Sequence, residues 1–277
     1  MGVAQLTLTA ESCRLRLMEV IFHAKAGHTG GDLSCLNVLT ALYFRFLNID
    51  PSHLDDPDRD RFILSKGHCV ESLFTVLESR GILPKEMLDT LGQTGSPLAG
   101  HPTSDIPGIE VSSGALGHGL SIGVGMALAA RMDGKSYRTF VLMGDGEQGE
   151  GSIYEAAMAA NHYRLSNLVA IIDRNHLQIS GDTEDVMAID DIKAKWTAFG
   201  WEVTDMNGDD MDDICRTIEA IDYSGGKPHL IISRTTKGLG VSYMENAAKW
   251  HHGVPTAEQY DQAVKELGER IQKAKEA

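Results

Sequence analysis

An aspartate and an asparagine follow two successive predicted strands and form the first candidate site. Asp145 stands between two glycines directly after the apolar run 139–143, and Asn175 follows the apolar run 168–172. A helix is predicted between the runs, so the strands are parallel and their carboxyl ends meet at one edge of a sheet. A carboxylate, an amide oxygen and a main-chain carbonyl suit Mg²⁺, which takes further oxygens from phosphate and water. A bare Gly-Asp-Gly is more typical of a turn, so the predicted metal–diphosphate site depends on the whole arrangement.

Histidines beside glycines form the second group of candidates. They occur in four segments and are His28, His68, His101 and the pair His251–His252. One such histidine is more often a surface or capping residue, but four segments in a chain with a metal–diphosphate pattern favour a shared site. Imidazoles near a developing alkoxide can donate hydrogen bonds or exchange protons, which is a general acid–base role.

The elements that must position these residues alternate along the chain. Strand-like runs are predicted at residues 61–65, 139–143, 168–173, 203–206 and 230–233, and helices at 12–26, 36–46, 116–131, 153–163, 192–199 and 211–221. This alternation predicts an α/β fold with a mainly parallel sheet of five to six strands and helices on both faces. Gly27 is predicted to cap the first helix. Residues 1–277 show no repeat or linker and are interpreted as a single domain, with 256–277 as a charged, exposed helical tail.

Composition excludes several classes of protein. The 277 residues carry a net charge of −14, which is opposite to a nucleic-acid-binding surface or one attracted to anionic membranes. No apolar run approaches the roughly 18 residues of a membrane span. The four cysteines show no C-x-x-C or metal-ligand spacing, and residues 1–10 do not resemble a secretory signal. We therefore expect a cytoplasmic protein with reduced thiols.

The order of these motifs resembles the transketolase family. In that family Gly-Asp-Gly precedes, by about thirty residues, a strand that ends in asparagine, and histidines lie in glycine-rich loops. The resemblance runs from about residue 10 to residue 255. It implies the thiamine-diphosphate-binding fold, with thiamine diphosphate and Mg²⁺ as cofactors, or Ca²⁺ or Mn²⁺ in place of Mg²⁺.

The resemblance also implies roles for individual residues. The implied metal ligands are Asp145, Asn175 and the carbonyl of Leu177. The implied cofactor contacts are His68, Gly114, Leu116, Gly146, Glu150, Asn175 and His252, and the implied catalytic residues facing the ketose are His28, His101 and His252. Glu150 and Glu155 match acids at the interface that joins two active sites, although Glu155 also suits a solvated helix position.

Two loops depart from the pattern of full-length transketolases. They read Gly-His-Thr-Gly-Gly and Gly-Ala-Leu-Gly-His, where the family usually has Gly-His-Pro-Gly and Gly-Pro-Leu-Gly-Gln. This is typical of the split form, in which two genes encode the halves. We therefore expect a separate C-terminal subunit that carries the pyrimidine-binding and C-terminal domains, including the glutamate that activates the cofactor. The expected heterotetramer would transfer a two-carbon ketol unit between sugar phosphates, as in the pentose phosphate pathway.

Other interpretations remain open at this stage. The α subunit of a 2-oxo-acid dehydrogenase lacks the Gly-His-Pro loop and the Ser-Lys-Gly-His strand end, and deoxyxylulose-phosphate synthase is one long chain. A split transketolase could be specialised for a sulfosugar or a branched pentulose phosphate, or the chain could bind the cofactor without catalysis. Asp32, beside the His28 loop, either tunes hydroxyl recognition or caps a helix that begins near Leu33.

Overall fold

A computed structural model of the chain describes residues 1–189 and 191–276. In this part, the strands are β1 (Arg61–Leu64), β2 (Thr139–Gly144), β3 (Leu168–Arg174), β4 (Glu202–Asn207) and β5 (His229–Arg234). The helices are α1 (Val3–Ala24), α2 (Thr29–Ala41), α3 (Val70–Ser79), α4 (Lys85–Leu88), α5 (Gly119–Met132), α6 (Gly151–His162), α7 (Thr183–Met187), α8 (Ile192–Ala198), α9 (Met211–Glu219) and α10 (Ala257–Glu276).

The five strands form one parallel sheet in the order β1-β2-β3-β5-β4. This confirms the predicted α/β fold, at the lower end of the predicted strand number. β2 and β3 are neighbours, and Gly144 pairs in register with Asp173. Asp145 and Asn175 therefore follow their strands at the same sheet edge, as the sequence predicts.

Side chains that alternate along the strands form two separate cores, one on each face. Phe62, Phe140 and Ile171 pack on the face covered by α1, α2, α3 and α9. Ile63 and Val141 pack on the other face, which α5, α6 and α8 cover. Burial on both faces explains why the strands read as continuous apolar runs rather than as alternating ones.

Several helix boundaries differ from the sequence-based prediction. α1 begins at Val3 rather than at residue 12, and α2 spans Thr29–Ala41 rather than residues 36–46. α1 ends at Ala24, and Lys25 adopts a left-handed conformation (φ 56°) while its N–H bonds to the carbonyl of Ile21. Lys25 thus takes the capping position that was predicted for Gly27. α5 begins at Gly119 rather than at residue 116, because the turn before it needs Gly117 at φ 85°, a conformation that favours glycine.

The C-terminal helix is charged, as predicted, but one of its faces is buried. Ala263 and Leu267 of α10 pack in a third apolar cluster with residues of α1. The rings of Phe22 and Tyr260 stack with centroids 4.2 Å apart. The prediction that the whole tail is exposed is therefore wrong, since α1 covers its apolar stripe. None of the helices in the described ranges is long and apolar enough to cross a membrane.

Candidate functional site

A cavity of about 410 Å³ opens at the carboxyl edge of the sheet. Most of the residues predicted from the sequence line it, namely His28, His68, Gly114, Leu116, Asp145, Gly146, Asn175 and Leu177. The structure thus brings together the predicted metal ligands and three of the four histidine segments, those of His28, His68 and His251. His101, Glu150 and His252 are exposed and do not line this cavity.

Main-chain and side-chain donors fix the carboxylate of Asp145 at the end of β2. Its Oδ1 accepts from the N–H of Gly146 at 2.8 Å. Its Oδ2 accepts from the N–H of His176 at 2.8 Å and from Nη1 of Arg174 at 3.0 Å. Burial raises the pKa of the Asp145 carboxyl, as does the charge of Asp173, while Arg174 opposes the rise. A bound cation would offset the cost of keeping this carboxylate ionised.

The amide of Asn175 is oriented from both ends. Its Nδ2 donates to Oδ2 of Asp173 at 2.9 Å, and its Oδ1 accepts from the N–H of Leu177 at 3.1 Å. Oδ1 keeps a second lone pair, so it can serve as an oxygen ligand as well. The hydrogen bond to Asp173 therefore identifies the amide oxygen, rather than the nitrogen, as the atom available to a cation.

Asp173 itself belongs to a fully buried ion pair. Its Oδ2 lies 2.5 Å from Nζ of Lys66, which also donates to the carbonyl of Gly31 at 3.0 Å. Burial alone would raise the pKa of Asp173, but the Lys66 ammonium and hydrogen bonds from Thr235 and Ser34 hold it below its usual value. This network joins the ends of β1 and β3 to the first turn of α2.

Lys237 presents a buried ammonium to the same cavity. The residue is only 2% exposed, and its Nζ donates to the carbonyl of Leu177 at 3.1 Å and lies 3.0 Å from Nδ1 of His251. Within the described ranges, no carboxylate forms a salt bridge with it. Burial, together with the charge of Lys66, lowers the pKa of Lys237. A buried cation without a carboxylate beside a cavity indicates an anion site.

Three imidazoles gather around one end of the cavity. The ring centroids of His28 and His68 are 5.3 Å apart, those of His68 and His251 are 5.3 Å apart, and those of His28 and His251 are 5.8 Å apart. Burial first, and neighbouring charges second, lower the pKa of His28 to about 4 and those of His68 and His251 to about 3. All three are therefore neutral at pH 7 in the cofactor-free chain.

Two of the exposed predicted residues, His101 and His252, lie beside His28 at the rim of the cavity. The rings of His101 and His252 are centred 6.0 and 4.9 Å from that of His28. A Cβ atom on Gly114 would lie 2.5 Å from Cδ2 of His101, so the absence of a side chain at Gly114 allows this ring to sit against the turn. Glu150 is an exposed residue at the start of α6.

Among the residues of the site that were not chosen from the sequence are Lys237, His251 and Glu147. Lys237 follows β5 at the same sheet edge as Asp145 and Asn175, but it lies three residues beyond the end of the strand, where the strand-edge argument does not reach. His251 lines the cavity where His252 was chosen, and no sequence signal separates the two. Glu147 is buried and accepts hydrogen bonds from the N–H groups of Gly117 at 2.8 Å and of Gly144 at 3.0 Å. It thereby connects the glycine-rich turn before α5, residues 113–119, to the end of β2.

Both interpretations of Asp32 are wrong. The residue lies within α2, which already begins at Thr29, so it does not cap a helix that starts near Leu33. It is fully buried and is not among the residues that line the cavity. Its Oδ1 instead accepts from the N–H of Ser72 at 2.8 Å, in the first turn of α3. Asp32 thus caps a neighbouring helix.

Comparison with known proteins decides the family. Residues 6–274 match the family model described as transketolase, thiamine diphosphate binding domain. The chain belongs to the transketolase family. The resemblance noted from the sequence is confirmed, and this transketolase chain corresponds to the N-terminal part of the family's full-length members.

Similar proteins include both split and full-length transketolases. The chain is 64% identical over 273 residues to an apulose-4-phosphate transketolase subunit of Phocaeicola vulgatus, covering 99% of this chain and 97% of that protein. It is 41% identical to the 6-deoxy-6-sulfo-D-fructose transketolase subunit SqwG of Clostridium sp. (strain MSTE9), covering 93% and 94%. The solved transketolase from Leishmania mexicana superposes with a TM-score of 0.86 at 27% identity, covering 100% of this chain but 45% of that one. The chain thus spans less than half of that solved transketolase and nearly all of the two bacterial subunits.

Proposed function

We propose that this chain is the diphosphate-binding subunit of a two-chain transketolase that uses thiamine diphosphate and Mg²⁺. The observation that carries the proposal is the meeting of Asp145, Asn175 and the Lys237 ammonium in one cavity. The described residues hold no cluster of three or more acidic, histidine or cysteine side chains suited to a metal. A metal here would therefore combine two side-chain oxygens and the Leu177 carbonyl with oxygens of the diphosphate, which suits Mg²⁺ and also admits Ca²⁺ or Mn²⁺.

The charge of the cavity supports the diphosphate. Lys237 offers an ammonium that forms no salt bridge with a described carboxylate. Gly146 lines the wall beside the proposed metal ligands, and α5 begins after the glycine-rich turn at Gly114 and Leu116. An anion would remove the electrostatic penalty of the buried Lys237. We propose Gly114, Leu116, Gly146, His68, His251 and Lys237 as contacts of the cofactor.

Thiamine diphosphate supplies, when bound, a nucleophilic carbon that attacks a ketose carbonyl and carries a two-carbon unit to an aldose. The residues of this chain would bind and orient the sugar. Nδ1 of His28 is buried and has no hydrogen-bond partner among the described residues, so it is free for a ligand. Neutral His28 and His251 can donate to, or accept a proton from, the sugar oxygens. His101 and His252 at the rim are proposed to contact its outer hydroxyls.

A partner subunit is proposed to complete the site. The neighbouring helices α5 and α6 expose Ile122 (37%) and Met158 (54%), and Glu155, one turn before Met158, is also exposed. Exposed apolar side chains grouped on two adjacent helices are typical of an interaction surface. We propose that this surface meets the subunit with the pyrimidine-binding and C-terminal domains in a cytoplasmic heterotetramer, and that residues 1–277 form one diphosphate-binding domain.

We propose a branched pentulose phosphate, apulose 4-phosphate, as the ketose donor. The proposal rests on the names of two relatives, which are 64% and 43% identical to this chain. The SqwG relative supports a second candidate, the sulfosugar 6-deoxy-6-sulfo-D-fructose, at lower identity. Xylulose 5-phosphate, the donor expected for the pentose phosphate pathway, is the third sugar to be compared.

The test is a two-carbon transfer assay of the chain co-purified with the product of the neighbouring gene. Each of the three ketoses is supplied with an aldose phosphate acceptor, thiamine diphosphate and Mg²⁺. We expect the highest kcat/KM with apulose 4-phosphate and no turnover by either chain alone. An equal or higher kcat/KM with another ketose would refute apulose 4-phosphate as the donor. Tight cofactor binding without transfer from any ketose would instead favour a non-catalytic binding protein.

A further inference from the structure

Two buried carboxyl groups face each other between α2 and α3. Asp32 and Glu71 are 0% and 2% exposed, and their side chains lie within hydrogen-bonding distance of each other. Oδ2 of Asp32 and Oε2 of Glu71 have no hydrogen-bond donor among the described residues. Two ionised carboxylates in contact would leave both oxygens unsatisfied and would repel each other. A single proton between them would satisfy both atoms.

The charged and titratable surroundings suit a pair that carries one negative charge. Lys66, from the end of β1, is the cation that acts on Asp32, and it is already paired with Asp173. The thiol of Cys35 is the nearby group on α2, where its Sγ lies 3.6 Å from the carbonyl of Asp32. Both carboxyls lie in the first turns of their helices, where the helix dipole stabilises negative charge.

The electrostatics agree with the geometry. Burial raises the pKa of Asp32 to about 7, against the opposing effect of the Ser72 N–H and the Lys66 ammonium. Burial also raises the pKa of Glu71 well above its usual value, and the neighbouring Asp32 charge raises it further. At least one carboxyl of the pair therefore stays protonated when the pH is below neutral.

We propose that Asp32 and Glu71 share one proton and act as positioning residues for the cavity. Their hydrogen bond joins the first turn of α2, which carries His28 and Gly31, to the first turn of α3, which directly follows His68. Together with the bond from the Ser72 N–H to Asp32, it fixes the separation of two loops that line the cavity. This inference goes beyond the proposed function, because it concerns a pair that touches neither cofactor nor sugar.

A dependence of stability on pH follows from the shared proton. The folded chain holds the proton more tightly than the unfolded chain, in which Asp and Glu have pKa values of about 4. The stabilisation is therefore complete below about pH 4 and declines as the pH rises through the folded pKa values of the pair, about 7 for Asp32 and well above the usual value for Glu71. The double amide variant Asp32→Asn/Glu71→Gln keeps one hydrogen bond between the side chains but has no proton to lose.

The direct test is infrared spectroscopy of the full cofactor-free chain. We expect wild type at pH 6 to show a protonated-carboxyl stretching band that is absent from Asp32→Asn/Glu71→Gln. In urea unfolding between pH 5 and 8, wild type should lose stability relative to that variant as the pH rises. The exposed pair Asp105→Asn/Glu86→Gln is the matched control and should behave as wild type. A missing band, or parallel pH profiles of wild type and the double amide variant, would overturn the shared proton.

The positioning role is tested by cofactor affinity in the two-chain complex. Calorimetry should find that the dissociation constant of thiamine diphosphate in the double amide variant is within about threefold of the wild-type value. In Asp32→Ala or Glu71→Ala, binding should be about tenfold weaker or more, because about one buried hydrogen bond is lost. If the alanine variants bind as wild type does, the pair does not position the cavity. If the alanine variants do not fold, the double amide variant decides. Because it keeps the hydrogen bond, a folded double amide variant that binds thiamine diphosphate about tenfold more weakly than wild type would refute the positioning role. The infrared and unfolding tests need no cofactor, so failure of the proposed function would not affect them.

Discussion

Asn175 donates its side-chain N–H to the carboxylate of Asp173 at 2.9 Å, and that carboxylate also pairs with the buried ammonium of Lys66. One buried charge pair thus fixes the direction of the amide that we propose as a metal ligand. Groups behind a metal ligand commonly set its orientation and its affinity for the metal. The site and the core are therefore coupled through Asp173, and a change at this residue should affect both.

Replacing Asp173 with Asn should destabilise the chain by about 3–5 kcal/mol, because Lys66 would be left as a buried charge without a counterion. Urea unfolding of the cofactor-free chain measures the effect. Thr235→Val removes the 2.5 Å hydrogen bond from the Thr235 hydroxyl to the same carboxylate. It should lower the free energy of unfolding by only about 1–3 kcal/mol. Equal losses of unfolding free energy in the two variants would show that the ion pair does not stabilise the fold.

Asp145→Ala and Asn175→Ala should each abolish the Mg²⁺-dependent binding of thiamine diphosphate to the two-chain complex. Both residues follow their strands at the cavity and contribute no apolar core, so the fold should persist. Calorimetry with and without Mg²⁺ measures the binding, and circular dichroism monitors the fold. Asp105→Ala, on an exposed loop, is the control. A folded variant that retains wild-type affinity would remove its residue from the proposed ligand set.

Lys237→Met should weaken cofactor binding without destabilising the cofactor-free chain. Thiamine diphosphate affinity should fall by about 10- to 100-fold, since a hydrogen bond to a charged group contributes about 1.5–3 kcal/mol. The cofactor-free chain should melt at the same or a higher temperature, because the variant removes a buried ammonium that forms no salt bridge with any described carboxylate. Lys249→Met, at an exposed position, should change neither quantity. Unchanged affinity in Lys237→Met would place the diphosphate elsewhere.

The adjacent histidines at the end of the short helical turn Ala248–Trp250 should differ in effect. His251 lines the cavity and lies beside Lys237, whereas His252 is exposed near His28. We expect His251→Ala to weaken cofactor binding and His252→Ala to leave it unchanged. His252→Ala should lower kcat/KM for the ketose, as loss of a transition-state contact does. The reverse pattern in calorimetry and steady-state kinetics would restore the original assignment of His252 as a cofactor contact.

Charges introduced on the exposed side of α5 and α6 should prevent assembly with the partner. Ile122→Glu/Met158→Glu alters exposed side chains, so the subunit should fold and bind no partner in size-exclusion chromatography. Ala220→Glu, after α9 on the opposite face of the sheet, should assemble normally. Assembly of the double variant at wild-type strength would move the interface to another surface.

The sequence predicted the parallel sheet and its functional edge because both depend on local patterns. Apolar runs separated by helical segments define the strands, and Asp145 and Asn175 directly follow two of them. Lys237 was missed because it lies three residues beyond the end of β5, past the point where the run stops. Its function depends on a turn that returns the side chain to the cavity, and no local pattern encodes that turn.

Other features depend on contacts between distant segments. The pairing of Asp32 with Glu71 joins two helices that are separated by β1, so the residues around Asp32 suggest only a cap or a surface group. The choice between His251 and His252 depends on how the turn after Trp250 packs. The buried face of α10 likewise becomes evident only when α1 lies against it, because α10 is mostly charged.

The contact between α1 and α10 has a consequence for the order of folding. The last helix packs against the first, with Arg270 bonded to Glu11, and just before it Gly253 forms a bridge to His28. His251 comes from this late segment, whereas His28 and His68 are synthesised early. On the ribosome, the sheet can therefore form before the cavity does. We expect the nascent chain to acquire its cofactor site only after α10 has emerged and docked, with α1 exposing its apolar side until then.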